Sequence, residues 1–120
     1  MAVTIEAALR DVLEWSFATE PPAAVDAKAR ELLLDTLGCV LAASVALPLR
    51  ALAERFAETD PGAVRVPGFG ASLSAGTASA LFASAACWDE ACEGLARAHG
   101  RPGVPVIAAC LALAQVRSTT

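Results

Sequence analysis

The chain has 120 residues, a formal net charge of −4 and a hydrophobic fraction of 56%. That length holds one domain, and an acidic chain with a pI near 4.8 and no dense basic cluster cannot neutralise a run of phosphates, which excludes nucleic acid as a partner. A mean hydropathy of +0.54 exceeds what a small soluble domain usually conceals, so either its helices are buried nearly all round or a large apolar face meets another chain.

Apolar spacing predicts a first helix over Thr4 to Ala18, with Thr4 as N-cap and Ile5, Leu9, Val12, Leu13 and Phe17 on one face. Pro21 and Pro22 end it, and Pro22 can open a second helix that runs to Ala46. Almost no charge follows Asp35, which predicts burial on all sides for the second half, and Gly38 within it predicts close approach of a neighbouring helix. Pro48 to Glu58 reads as a third helix with Leu49, Leu52, Ala53 and Phe56 inward. Asp60-Pro61-Gly62 is a turn signal, and Val64 to Val66 a short extended piece. Two further helices are expected, Leu73 to Cys87 and Val104 to Arg117, the former capped by Ser72 or Ser74. The glycine-rich stretch before it lacks the Lys-Ser/Thr ending of a phosphate loop and the glycine spacing of a dinucleotide site. The whole reads as an all-α helical bundle, one domain over residues 1–120, with no sheet beyond a short pair near Val64 to Val66.

Val66 to Trp88 carries no charge and is long enough to span a bilayer, but Pro67, Gly68, Gly70 and Gly76 interrupt it and five hydroxyl residues keep it polar, so no membrane span is expected. Glu6, Arg10, Asp11 and Glu14 near the N-terminus do not make a signal peptide, and the expected location is cytoplasmic. Cys39 and Cys110 lie within apolar helical patterns, while Cys87 and Cys92 form a C-x4-C spacing with no second pair and a single His in the chain. That is no zinc arrangement; buried free thiols are expected, with no metal and no cofactor.

Two stretches carry a specific resemblance. The run R-P-G-V-P-V-I-A-A-C-L-A-L-A-Q from Arg101 to Gln115, and A-K-A-R-E-L-L-L-D-T-L-G-C-V-L-A-A-S from Ala27 to Ser44, resemble the helical domain of the MmgE/PrpD family, which includes 2-methylcitrate dehydratase, cis-aconitate decarboxylase and iminodisuccinate epimerase. The resemblance implies the N-terminal part of a helical domain, with a second domain elsewhere, and lyase or hydratase chemistry on a small carboxylic acid or acyl substrate. It also implies where the chemistry departs from the family. Arg101 stands where the family's H-P-G run has an active-site His, Cys87 where an upstream His stands, and Cys92-Glu93 where an acidic pair stands.

Between the last two helices, Trp88 to Gly103 gathers Asp89, Glu90, Glu93, Arg97, His99 and Arg101. As a site, Glu93 and His99 would serve as acid and base and Arg101 would hold a carboxylate through its planar fork. As a solvated loop, Arg97 and Arg101 would pair with Asp89, Glu90 or Glu93. Asp35, at the edge of an apolar run, is expected to be structural and to find a donor in Lys28, Arg30 or a backbone N–H. Expected partners are a second copy or a second subunit that supplies the missing domain, with a small carboxylate or acyl ligand. The alternatives are a helical scaffold that has lost its chemistry, or a fragment of a longer enzyme.

Overall fold

The structure, a computed structural model, describes residues 4–95, 97 and 100–118. It contains five helices and one two-stranded sheet: α1 (Ile5–Ala18), α2 (Ala23–Ala43), α3 (Leu47–Thr59), β1 (Pro61–Arg65), β2 (Ser72–Leu73), α4 (Ala75–Cys87) and α5 (Gly103–Ser118). The all-α expectation holds. The chain divides into two compact units, Met1–Arg30 and Glu31–Thr120.

In the first unit the Thr4 hydroxyl accepts from the Ala7 N–H at 3.3 Å, as an N-cap should. Glu6–Arg10 and Asp26–Arg30 are ion pairs one helical turn apart, both exposed. Pro22 precedes α2 rather than opening it: its carbonyl accepts the N–H groups of Val25 and Asp26, which starts the hydrogen-bond ladder at Ala23. The predicted apolar stripe of α1 is exposed throughout, and α1 has no buried residue.

The second unit is built around α4. Ala78, Leu81, Phe82, Ala85 and Ala86 are buried, a run at i, i+3, i+4, i+7 and i+8 that forms one continuous stripe. It packs chiefly against α5, whose Val104, Ala108 and Ala112 repeat every four residues and are also fully buried. Alanine on both surfaces lets the two backbones come close, and Phe82 and Leu81, at 1% and 0% exposure, supply the bulk, each worth about 1.5–3 kcal/mol. α3 presents Leu49 and Ala53, both buried, with Leu52 and Phe56 beside them, as predicted.

The end of α2 corrects two expectations. Only Thr36, Val40 and Ala43 of this helix are buried, while Leu34 and Leu41 stay 71% and 51% exposed, so the second half is not enclosed on all sides. Nor does any atom approach the position of a Cβ at Gly38. The helix stops at Ala43, before Ala46, because Ala46 turns extended to serve as N-cap of α3. Ser44 ties off the turn by donating its hydroxyl to the Leu41 carbonyl at 2.7 Å.

Asp60-Pro61-Gly62 is not a reverse turn. Pro61 begins strand β1, where its missing N–H is harmless at the strand's first residue, and β1 pairs antiparallel with β2 through a bulge between Pro61 and Val64. Gly62 sits on the Leu73 carbonyl so closely that a Cβ could not fit. Leu73 thus belongs to the strand, and α4 begins two residues later. On the other side Gln115 of α5 clamps the backbone of Arg65, accepting its N–H at 2.9 Å and donating to its carbonyl at 3.0 Å. The uncharged run from Val66 to Trp88 is therefore a loop, a strand and a 13-residue helix. Among the described residues no single helix is long and apolar enough to cross a membrane.

Asp60 joins these pieces. Its Oδ2 accepts from the Ser74 hydroxyl at 2.5 Å and from the Thr77 hydroxyl, while Ser74 caps α4 by accepting the Thr77 N–H. The hydrogen bond from Ser74, then that from Thr77, holds the Asp60 carboxyl below the ordinary aspartate value. The folded state thus binds this proton less tightly than the unfolded chain does. Its stabilising contribution is complete above about pH 5 and fades as pH falls through about 4 and lower. Urea unfolding between pH 6 and 3 should show a decline that is shallower in Asp60→Asn, whose amide oxygen still accepts but does not titrate. Equal slopes in the two proteins would deny Asp60 this role.

Candidate functional site

The site lies where α4 ends and α5 begins. Trp88 closes α4 with its N–H on the Ala85 carbonyl, and the Glu90 N–H reaches back to Cys87 at 3.1 Å. Glu90 has φ of 55°, a left-handed conformation that a side-chain-bearing residue adopts at some cost. The chain reverses there. Further along, Leu95 and Gly100 form an isolated antiparallel bridge, with the Leu95 N–H on the Gly100 carbonyl at 2.8 Å.

Each predicted site residue has a definite position except His99, which lies outside the described residues. Glu93, half-buried, places Oε1 at 2.7 Å from the Gly103 N–H and so caps the first turn of α5. A carboxylate there satisfies an otherwise orphaned donor and faces the positive end of the helix dipole. Gly103 permits the approach, since a Cβ would stand 2.8 Å from that same oxygen. The other Glu93 oxygen has no partner among the described residues. Arg101, with its side chain 32% exposed, donates from Nη2 to the Glu90 carboxylate at 3.2 Å and to the Glu90 carbonyl at 3.3 Å. It thereby pins the strained residue of the turn.

Beside this connection is a concavity of about 280 Å³ lined by Asp35, Gly38, Cys39 and Ala42 of α2 and by Ala86, Asp89 and Ala91. The four α2 residues are spaced i, i+3, i+4 and i+7, one face of the helix, and Gly38 with Ala42 leaves the room that larger side chains would fill. Burial pushes the Cys39 thiol up, and Asp35 and then Asp89 push it further, so it stays protonated. Asp35 is exposed and has no donor among the described residues, contrary to the expectation of a paired, buried carboxylate. Two carboxylates make this hollow hostile to an anionic group. The group with the charge to attract a carboxylate is Arg101, which does not line it. Among the described residues no cluster of three or more His, Cys, Asp or Glu could hold a metal ion.

Sequence reasoning named Glu93 and Arg101 and offered Glu90 as an ion-pair partner of Arg101, a pair the structure contains; it missed the left-handed backbone of Glu90 and the place of Asp89 and Cys39 in the concavity. For the concavity a signal was present in the i, i+3, i+4, i+7 face from Asp35. For the turn at Glu90 there was none, because nothing marks a glutamate as left-handed. The expectation of buried thiols also fails at Cys110, which is exposed; Cys92 is buried and Cys39 and Cys87 are half-buried.

If Glu93 is a helix cap, Glu93→Ala should destabilise the folded chain by about 1 kcal/mol, whereas Glu93→Gln, which keeps an acceptor oxygen, should lose less than half of that. Urea midpoints of the two variants measure this. Equal losses would mean that the charge and not the cap is what matters.

Residues 12–120 match the family model described as MmgE/PrpD N-terminal domain. Neither a curated protein nor a solved structure matches the chain. A match over nearly the whole length has one consequence: the chain belongs to the MmgE/PrpD N-terminal domain family.

Proposed function

We propose that this chain supplies one wall of an active site for lyase or hydratase chemistry on a small carboxylic acid or acyl substrate, the other wall coming from a second domain or subunit. The observation that carries this reading is Arg101. It is an always-charged planar fork, partly exposed, held in place by the ordered Glu90 turn at the mouth of α5. In the proposed complex a substrate carboxylate displaces the Glu90 carboxylate from Arg101 at little cost, because Glu90 is 81% exposed and rehydrates easily. Glu93, through its second oxygen, and His99 are then the groups available to move a proton.

Arginine in the place of a general base means that the chain alone should not turn over 2-methylcitrate or cis-aconitate. Reconstituted with the polypeptide that co-purifies with it, it should act on one member of a panel of small carboxylic acids and their thioesters. Arg101→Ala should then lower kcat/KM by about 10- to 100-fold, the worth of a charge-assisted hydrogen bond. Glu93→Ala and His99→Ala should lower kcat more than they raise KM. Unchanged kinetics in all three variants would leave a helical scaffold as the better reading.

A partner is also supported by apolar surface. Leu34 and Leu41 of α2, Val45 just before α3 and Leu47 at its start are 71%, 51%, 77% and 79% exposed, apolar surface of the kind a partner covers. The isolated chain should therefore self-associate in sedimentation velocity at micromolar concentration. A clean monomer there would count against a covered interface.

A further inference from the structure

The turn after α4 does something that neither the helix cap nor the arginine requires: it brings two thiols together. Cys87 is the last residue of α4 and Cys92 lies five residues on, yet their sulfurs are 3.8 Å apart. The backbone holds them there. Hydrogen bonds from Trp88 to Ala85 and from Glu90 to Cys87 tighten the turn, the left-handed Glu90 reverses it, and Arg101 fastens Glu90 from the far side. A disulfide needs sulfurs about 2.0 Å apart, so closure asks for a shift of somewhat under 2 Å, within reach of side-chain rotation at two neighbouring residues. Cys92 is only 8% exposed, while Cys87 is half-buried and reachable. The other two cysteines do not share this arrangement: Cys110 is exposed on α5, and Cys39, on α2, makes no thiol–thiol hydrogen bond among the described residues.

We propose that Cys87 and Cys92 are a reversible dithiol–disulfide pair, oxidised by a small-molecule disulfide of the glutathione class, which locks the turn that positions Arg101. Cys87, the accessible sulfur, attacks as thiolate on one sulfur of the external disulfide. That S–S bond breaks, one small thiol leaves, and a mixed disulfide forms on Cys87. Cys92 then gives up its proton and attacks the Cys87 sulfur, and the second small thiol leaves. Two protein thiols have lost two electrons and two protons in all, and one external disulfide has become two thiols. Burial, and then the hydrogen bond with Cys87, push the Cys92 thiol up, and the nearby Arg101 guanidinium offsets this only in part. The buried position of Cys92 beside the more accessible Cys87 suits it to the resolving step. With four residues between the bonded cysteines the oxidised loop is small, so its effect is to fix the turn rather than to stabilise the fold at large.

The test needs no enzymatic activity, so it stands apart from the proposal for function. The full chain is equilibrated with oxidised and reduced glutathione at graded ratios, quenched with an alkylating reagent, and digested with trypsin. Residues 66–97 fall in one tryptic peptide. In oxidising mixtures this peptide should lose both alkylation sites and become lighter by two hydrogens, and dithiothreitol should restore both sites. Cys110 should not pair with either residue. Cys92→Ser should trap a glutathione adduct on Cys87, and the double variant Cys39→Ser, Cys110→Ser should still form the disulfide. A peptide that stays fully alkylatable, independent glutathione adducts on both cysteines of the unaltered chain, or a preferred bond to Cys39 or Cys110 would each overturn the proposal.

Discussion

Helix α4 is a nearly all-apolar segment that must bury its flank and satisfy both of its polar ends, and the Glu31–Thr120 unit is organised by that requirement. Its flank is met by α5, where Ala78, Ala85 and Ala86 face a helix with Val104, Ala108 and Ala112 on its own buried line. Small residues on both sides exchange side-chain volume for backbone proximity. Such an interface tolerates little enlargement, because added methylenes have no space to enter.

The two ends of α4 are solved differently. At the N-terminus a short polar chain, Asp60 to Ser74 and Thr77, satisfies the orphaned donors and at the same time links α3, the small sheet and α4. At the C-terminus the chain turns sharply through Glu90, and the polar groups there are satisfied across the connection by Glu93 on Gly103 and Arg101 on Glu90. The first solution is purely architectural. The second leaves charged groups partly exposed, with one Glu93 oxygen lacking a partner among the described residues and a guanidinium held by an exposed carboxylate.

That connection is also coupled within itself. Cys87 and Arg101, fourteen residues apart, are joined through one turn: Arg101 grips Glu90, and Glu90 sets Cys87 against Cys92. The turn thus sets a guanidinium held by Glu90 near a pair of thiols.

Much of the fold was legible along the chain, because helices announce themselves locally. Thr4 and Ser74 cap where their spacing says they should, the α3 face from Leu49 to Phe56 is inward, and the Pro/Gly breaks divide five helices. The sequence also carried the family, through Arg101–Gln115 and Ala27–Ser44, and it marked the Glu93 and Arg101 neighbourhood as rich in charge. It did not say which face of α2 is covered, that Pro61 enters a strand, or that Asp35 and Cys39 share a hollow with Asp89. Those depend on pairings between distant segments, and composition near a position does not reveal what lies across from it. The decisive case is Glu90: a single left-handed residue reverses the chain, sets two thiols at 3.8 Å and fixes the arginine. No spacing rule encodes it, since the strain is offset by contacts that exist only once α4 and α5 have packed.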